Sequence, residues 1–181
     1  TEEDAPNPSF PRKSEEAALA LRGVRASVLR LPPSVHGTGD HGFVPRLISI
    51  AREKGASAYI GDGLNRWPAV HRLDAAHLYR LALEKGSAGI RYHGVADQGV
   101  PTREIAEVIG RQLNLPVVSK TREEAADHFG WMALFFGLDG AASGALTQEW
   151  LGWRPVQPGL IADLNAGHYF EQSAETADLR S

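Results

Sequence analysis

The feature that most constrains this fold is the alternation of short apolar runs with longer segments of helical periodicity. The runs at 25–31 and 89–95 suit buried strands, whereas 43–54 and 102–113 place apolar residues at helical spacing. Strands that alternate with helices are typical of an α/β fold. We therefore predict an α/β protein in which helices dominate the second half of the chain.

Boundary residues divide the chain further. Asp74 stands where a helix N-cap would follow the extended stretch 69–71, and that helix should stop at Gly86. Thr121 and Glu124 have capping-box spacing. We also predict a short helix over 14–21, short strands at 57–60 and 115–120, a loop over 34–42 and a glycine-rich loop between helices over 137–144.

The charge and the cysteine content narrow the classes of partner. The formal net charge is −3 with no run of Lys or Arg, which disfavours a nucleic-acid surface held by phosphate neutralisation. The absence of cysteine excludes disulfides and thiolate zinc sites and is typical of a reducing compartment. The apolar run at 131–138 is too short to span a bilayer. We expect a cytoplasmic protein with a small-molecule partner and neither a membrane nor a nucleic-acid partner.

A metal site is one way to interpret the histidines. His36, Asp40 and His41 lie on one glycine-rich loop, and His71 with Asp74 could join them as imidazole and carboxylate ligands. Their spacing matches no zinc signature, so the sequence favours hydrogen-bonded loop histidines and no metal.

Glycine spacing does not indicate a phosphate-binding loop. A dinucleotide fingerprint must join a first strand to its helix, so that backbone amides can approach the pyrophosphate. Gly137, Gly140 and Gly144 resemble the spacing, but no predicted strand precedes them. A serine-nucleophile elbow is also absent from the sequence.

Four motifs follow one another in an order that resembles a known family. They are RLPPSVHGTG at 30–39, VHRLDAA at 70–76, PTREIAEVIGRQL at 101–113 and LTQEWLGWRP at 146–155. This series resembles the C-terminal half of extended and atypical short-chain dehydrogenases/reductases, the NAD-dependent epimerase/dehydratase group. The resemblance implies the C-terminal part of a Rossmann-like NAD(P)-binding fold with a mostly helical substrate-binding part.

The resemblance also implies roles for individual residues. Pro32, Pro33, Ser34 and Val35 fall where the family contacts the nicotinamide end of NAD or NADP, beyond the carboxyl end of a strand.

The implied substrate contacts follow this segment. The loop from His36 to Phe43 would wall the substrate cleft, and Arg66 and Trp67 lie near a substrate-contacting arginine of the family. His36 is the candidate for proton transfer, because imidazole titrates near neutral pH. The alternative is that His36 only bonds to a neighbouring carbonyl group.

Two parts of the family pattern are not in this sequence. One is the N-terminal half with its glycine fingerprint. The other is the catalytic Tyr-x-x-x-Lys pair: with Glu16 aligned to the family's glutamate, its positions fall on Pro8 and Arg12. No lysine stands four residues after any tyrosine, namely Tyr59, Tyr79, Tyr92 and Tyr169. Arginine does not replace lysine in tuning a neighbour, and proline transfers no proton.

Two functions are compatible with these motifs. The first is an NAD(P)-dependent oxidoreductase or epimerase/dehydratase-like enzyme for a sugar-like or carbonyl small molecule, here as a truncated chain that would be inactive alone. The second is a catalytically silent dinucleotide-binding or protein-interaction module of the same fold. Residues 1–170 would form the Rossmann-like and substrate-binding portion and 171–181 a polar tail. Because a truncated sheet exposes an edge, we expect a homo-oligomer or a missing N-terminal half to cover it.

Overall fold

A computed structural model describes residues 1–5 and 13–171. The aligned positions Pro8 and Arg12, and the predicted tail beyond residue 171, lie outside the described residues. The helices are α1 Ser14–Leu19, α2 Phe43–Lys54, α3 Arg72–Lys85, α4 Thr102–Leu113, α5 Arg122–Phe129, α6 Met132–Phe136, α7 Ala145–Leu151 and α8 Leu160–Asn165. The strands are β1 Val28–Arg30, β2 Ser34–His36, β3 Ser57–Ile60, β4 Arg66–His71, β5 Arg91–His93, β6 Asp97–Pro101 and β7 Val117–Lys120.

The strands form small, mainly parallel sheets. β1 pairs with β5 and β3 with β7, both in parallel. β4 lies between β2, to which it is parallel, and β6, to which it is antiparallel. The α/β prediction is confirmed. In the part of the chain that the structure describes, no helix has the length and hydropathy needed to cross a membrane.

The helix predictions hold best where the sequence provides explicit end signals. α2 ends at Gly55 and α4 at Asn114, both in the left-handed conformation. The capping box of α5 forms as predicted: Glu124 N donates to Thr121 Oγ1, and Thr121 N donates to the Glu124 carboxylate. These helices are set by local chemistry that the sequence displays.

The prediction of one loop over 34–42 was wrong in part, and β6 was missed. β2 occupies Ser34–His36 within that loop, and it is only three residues long between Pro33 and Gly37. β6 buries a single apolar side chain, Val100. Neither strand is long or apolar enough to display a two-residue period, and both depend on hydrogen bonds to β4.

Asp74 is not the N-cap of α3, contrary to the prediction. The cap is His71, whose Nδ1 accepts a hydrogen bond from Leu73 N at 3.2 Å. Asp74 lies in the first turn of the helix, three residues after the cap, and is buried. Its carboxylate accepts hydrogen bonds from Val156 N at 3.1 Å and Gln157 N at 3.0 Å, and therefore fastens a distant loop to α3.

The loop that contains Val156 and Gln157 follows the sequence LGW at 151–153, which packs on α3. Trp153 is completely buried, and its indole Nε1 donates to the Asp74 carbonyl oxygen at 3.1 Å. The two motifs around residues 74 and 153 therefore form one structural joint, the α3–Trp153 joint.

The buried apolar side chains form two clusters. Cluster 1 contains side chains from α2, β3, β4, β6, α4, α5, α6 and α8, and includes Trp67, Ile105 and Phe136. Cluster 2 lies around α3 and contains Leu78 and Trp153. β4 contributes to both clusters.

The glycine-rich loop 137–144 connects α6 and α7, as predicted. Gly144 meets the end of β5: a methyl group there would lie 2.6 Å from the Val95 carbonyl oxygen and 3.1 Å from that of His93. At Gly140 the nearest atom to such a methyl, the Arg66 carbonyl oxygen, would be 3.8 Å away. Gly144 is therefore needed for close packing.

We expect Gly144→Ala to lower the free energy of unfolding by about 1–3 kcal/mol, because the added methyl overlaps backbone atoms that cannot rotate away. The matched variant Gly140→Ala should change it by less than about 0.5 kcal/mol. Urea unfolding followed by circular dichroism measures both. Equal effects would contradict the packing role of Gly144.

Candidate functional site

The candidate site begins at the carboxyl ends of β1 and β5. These strands are parallel and in register, so that Arg30 pairs with His93 at their ends. Open α/β sheets bind ligands beyond this edge. The His93 ring bridges the edge to the next loop, since Nδ1 lies 2.8 Å from the Ser143 carbonyl oxygen and Nε2 lies 3.2 Å from Arg30 Nη1. These contacts fit a neutral imidazole that donates from Nδ1 and accepts at Nε2.

A pocket of about 360 Å³ adjoins this edge. Its lining includes Ser143, Arg66 from the start of β4, and Gln98 and Gly99 of β6. Thr1 also lines the pocket, held there because the buried Glu2 carboxylate accepts hydrogen bonds from Thr147 N and Oγ1. The volume falls in the range of small-molecule sites.

Arg66 is fixed by Asp139. The carboxylate accepts from Arg66 Nε at 2.9 Å and from Nη2 at 2.7 Å, and also from the Arg66 backbone amide at 2.8 Å. These bonds lower the pKa of Asp139 to about 2. Arg66 Nη1 has no partner within residues 1–5 and 13–171 and could bind an anion or an oxygen acceptor.

Trp67, predicted with Arg66 as a substrate contact, points the other way. Successive side chains of a strand face opposite sides, and Trp67 is buried in cluster 1 with its Nε1 3.3 Å from the Phe135 carbonyl oxygen. Phe43 packs on it with ring centroids 5.5 Å apart and is half-buried. Of the pair, Arg66 alone lies on the exposed face.

The segment predicted to meet the nicotinamide follows β1 directly. Pro32 and Ser34 are buried, Pro33 is exposed and Val35 is half-buried. The hydroxyl of Ser34 is buried without a hydrogen-bond partner in the described part of the chain. The hydroxyl is therefore unpaired among the described residues, and contact with a bound group would require it to become exposed.

His36 lies inside the protein rather than on a loop surface. Its ring is completely buried at the end of β2, and Nδ1 lies 2.8 Å from Asp163 Oδ2. The His71 ring packs against it at right angles with centroids 5.3 Å apart. His36 therefore contacts the Asp163 carboxylate and not a neighbouring carbonyl group. Proton exchange with a substrate would require this buried ring to become exposed.

The wall of the predicted cleft is held by the C-terminal segment. Tyr169 Oη accepts from Gly37 N at 2.8 Å and donates to Asp40 Oδ2 at 3.0 Å. Burial raises the pKa of Tyr169 well above its usual range. Asp163 and Tyr169 are more than 120 positions away from their partners, so no local pattern in the sequence could have identified them.

Two of the histidines considered as metal ligands lie side by side. His36 and His71 touch, but within the described residues no group of three His, Cys, Asp or Glu side chains could hold a metal ion.

Buried histidines predict a loss of stability in mild acid. Burial lowers the pKa of His71, His93 and His128 from the ordinary 6.5. As the pH falls, these histidines bind protons in the unfolded chain at a higher pH than in the folded protein. Their contribution to stability is therefore fully present above pH 6.5 and is lost as the pH drops through and below that value. Glu15, with a pKa lowered by Arg30 and Arg91, loses its contribution only in stronger acid, below its usual 4.5.

Urea unfolding at several pH values tests this expectation. His93→Gln should flatten the pH dependence, because an amide can still donate to Ser143 and accept from Arg30 but does not titrate. The exposed His41→Gln serves as the control and should leave the slope unchanged. A wild-type free energy that stays constant between about pH 7.5 and 5.5 would contradict the expectation.

Comparison with known proteins gives relatives of similar sequence. No protein-family model matches the chain. An uncharacterised protein of Schizosaccharomyces pombe is 53% identical over 92% of this chain and 58% of its own length. An uncharacterised protein of Saccharomyces cerevisiae is 49% identical over 86% of this chain and 53% of its own. The chain thus spans a little over half the length of these relatives.

Solved structures match the fold at lower identity. A dTDP-glucose 4,6-dehydratase from Bacillus anthracis in complex with NAD has a TM-score of 0.68 and 21% identity, over 92% of this chain and 53% of its own. The same enzyme type from Streptomyces venezuelae, with NAD bound, gives 0.65 and 22% over 85% and 47%. The protein RMD of Pseudomonas aeruginosa, complexed with NADPH, gives 0.60 and 21% over 84% and 51%. The chain therefore has a mixed α/β fold with parallel sheets, similar to the Rossmann-like fold of NAD(P)-binding dehydratases and epimerases.

Proposed function

We propose that the chain is the substrate-binding part of an NAD(P)-dependent oxidoreductase or epimerase/dehydratase-like enzyme, together with the last strands of its Rossmann-like sheet. Its substrate is a sugar-like or carbonyl small molecule, and residues 1–170 act as one unit with 171–181 as a tail. The observation that carries the proposal is the pocket at Arg66, which Ser143 and His93 connect to the carboxyl end of the parallel β1–β5 pair. Ligands of open α/β sheets bind at such an edge.

Arg66 is the residue we assign to substrate binding. Its Nε and Nη2 are occupied by Asp139, which limits rotation of the guanidinium and leaves Nη1 for a ligand. A fixed arginine loses little entropy on binding, and it suits the phosphate or hydroxyl oxygens of a sugar derivative. Phe43 packs on Trp67, on the opposite face of β4 from Arg66.

The chain's residues fit one end of the cofactor only. Ser34 has a buried, unpartnered hydroxyl in the segment 32–35, which supports a contact with the nicotinamide. A bound nicotinamide would supply the hydride acceptor or donor. The sequence has no glycine fingerprint, and Gly144 is packed against carbonyl oxygens, which repel phosphate. NAD and NADP are equally compatible with these residues.

The alternative is a catalytically silent module of the same fold. It is favoured by the absence of a Tyr-x-x-x-Lys pair and by the engagement of Tyr169, whose hydroxyl is held by Gly37 and Asp40. A phenol with a raised pKa is a poor proton donor near neutral pH. Such a module could still bind a nucleotide sugar or a partner protein.

Calorimetric titration tests the substrate-binding role. The chain is titrated with dTDP-glucose, with dTDP and with glucose alone. We expect dTDP-glucose to bind, and Arg66→Ala to weaken it by at least tenfold. The matched control is Arg103→Ala, which removes an equally exposed arginine bound to Glu107 on α4 and should leave affinity unchanged.

A second measurement addresses the cofactor. The full-length relative of Schizosaccharomyces pombe is titrated with NAD and NADP, and its Ser34 equivalent is changed to Ala. Binding of either nucleotide supports a cofactor-binding protein, as the enzyme and a silent dinucleotide-binding module both require. Failure of both nucleotides to bind would favour a silent protein-interaction module, and a failure of dTDP-glucose, dTDP and glucose together would overturn the substrate-binding role of Arg66.

A further inference from the structure

A second concavity lies away from the Arg66 pocket and shares none of its lining residues. It is a groove of about 720 Å³ lined by residues of α5 and α6 and by Ile60 of β3. Trp131, Leu134 and Leu138 stand at its rim with 63%, 70% and 49% of their surface exposed. Contiguous exposed apolar side chains of this size mark binding sites more often than ordinary surface.

Small residues explain why the groove is open. α5 presents Ala125 and Ala126 to it, and α6 presents Ala133. Gly130, at a φ of +58°, makes the turn between the helices, and Gly137 follows α6. Large side chains at the rim over alanine and glycine leave an unfilled volume that falls in the range of small-ligand sites.

One charge faces this apolar surface. Among the described residues that line the groove, Arg122 is the only ionisable one, and the rest are apolar or glycine. Arg122 makes no ion pair with another residue in 1–5 or 13–171. An apolar cavity with a single unpaired cation at its edge is complementary to a molecule with an apolar body and one negative group.

We propose that the groove between α5 and α6 binds an amphiphilic carboxylate, with its acyl chain or ring over Ala126, Ala133 and Trp131 and its carboxylate at Arg122. The ligand class follows from the lining alone and does not depend on the proposed function. Phe135 lines the groove, and its ring centroid lies 6.1 Å from that of Phe43. A bound ligand would therefore contact Phe135, which packs against Phe43 in the wall of the predicted cleft.

Dodecanoate is the probe, used below its micelle concentration, and dodecanol is its neutral match. Binding is measured by calorimetry and by tryptophan emission, which should shift to shorter wavelength as Trp131 leaves water. Trp131→Phe should remove the emission shift. Ala126→Phe fills the groove from an exposed helical position, and Arg122→Gln removes the charge.

We expect Ala126→Phe to weaken both probes by at least tenfold. Arg122→Gln should weaken dodecanoate by about three- to fivefold, the size of an exposed ion pair, and leave dodecanol unchanged. Arg80→Gln, at an exposed arginine of α3, is the control and should change neither. Circular dichroism of each variant verifies folding.

Three results would overturn the proposal: no dodecanoate binding to the wild-type chain, binding that Ala126→Phe leaves intact, or equal affinity for dodecanoate and dodecanol. The first two exclude the groove as the site, and the third excludes Arg122 as the counter-ion. Competition by dTDP-glucose would instead assign the groove to the substrate of the Arg66 pocket, and would overturn its independence.

Discussion

Trp153→Ala should lower the free energy of unfolding by about 3–5 kcal/mol, the largest effect we expect from a single substitution in this chain. The indole is completely buried in cluster 2, and its Nε1 donates to the Asp74 carbonyl oxygen. Alanine would leave a cavity and would remove this hydrogen bond. Because domains are stable by only about 5–15 kcal/mol, the variant would be close to unfolding at 37 °C.

The sequence provides a matched control three residues away. Trp150 is 45% exposed and touches Tyr92 only edge-on, with ring centroids 6.3 Å apart. Trp150→Ala should cost about 1 kcal/mol. Urea unfolding followed by far-ultraviolet circular dichroism gives both values, and similar losses in the two variants would contradict the burial argument.

Asp74→Ala should cost about 2–4 kcal/mol, more than the roughly 1 kcal/mol that a simple N-cap contributes. The variant removes the carboxylate that accepts from Val156 N and Gln157 N, and both amides would lose a charged acceptor. Asp74→Asn keeps one side-chain oxygen as an acceptor, so its stability should lie between those of the wild type and Asp74→Ala. The same urea unfolding measurement applies.

The control for Asp74 is Glu104→Ala. Glu104 is also an acid in the first turn of a helix, but it is exposed on α4. Its loss should cost about 0.5 kcal/mol through the helix dipole alone. If Asp74→Ala cost no more than Glu104→Ala, the two amide contacts would contribute nothing to stability.

The double variant Asp74→Ala/Trp153→Ala should lose less free energy of unfolding than the sum of the two single losses, since both residues belong to the α3–Trp153 joint.

The parts of the fold that the sequence predicted are those with local determinants. α2 and α4 have a full apolar stripe and an end signal, and the capping box at Thr121 is complete within four residues. β2 and β6 were not predicted, because three to five residues with little apolar content form strands only beside β4.

In the candidate site, too, local sequence identified some residues, whereas their distant partners could not be predicted. Arg66 was predicted from the family resemblance and lies in a pocket, but its partner Asp139 is 73 positions away. His36 was predicted as a loop residue, whereas burial against Asp163 depends on α8, 127 positions later. Trp67 is adjacent to Arg66 in the sequence and faces the opposite side of the strand. A motif identifies neighbours in sequence, and the distant partners decide which of them is accessible.

We expect the two apolar clusters to define two regions of the molecule that open separately. Sheets of two or three strands have little stability of their own, so each cluster depends on its helices. β4 is the element they share, with Trp67 and Ala69 in one and Val70 in the other. Amide hydrogen exchange should therefore group the backbone of α3 and β5 into one cooperative unit and that of α2 and α4 into another. The amides of β4 should exchange no faster than those of the more stable unit. Because β4 belongs to both clusters, a displacement of this strand would couple a conformational change in one unit to the other.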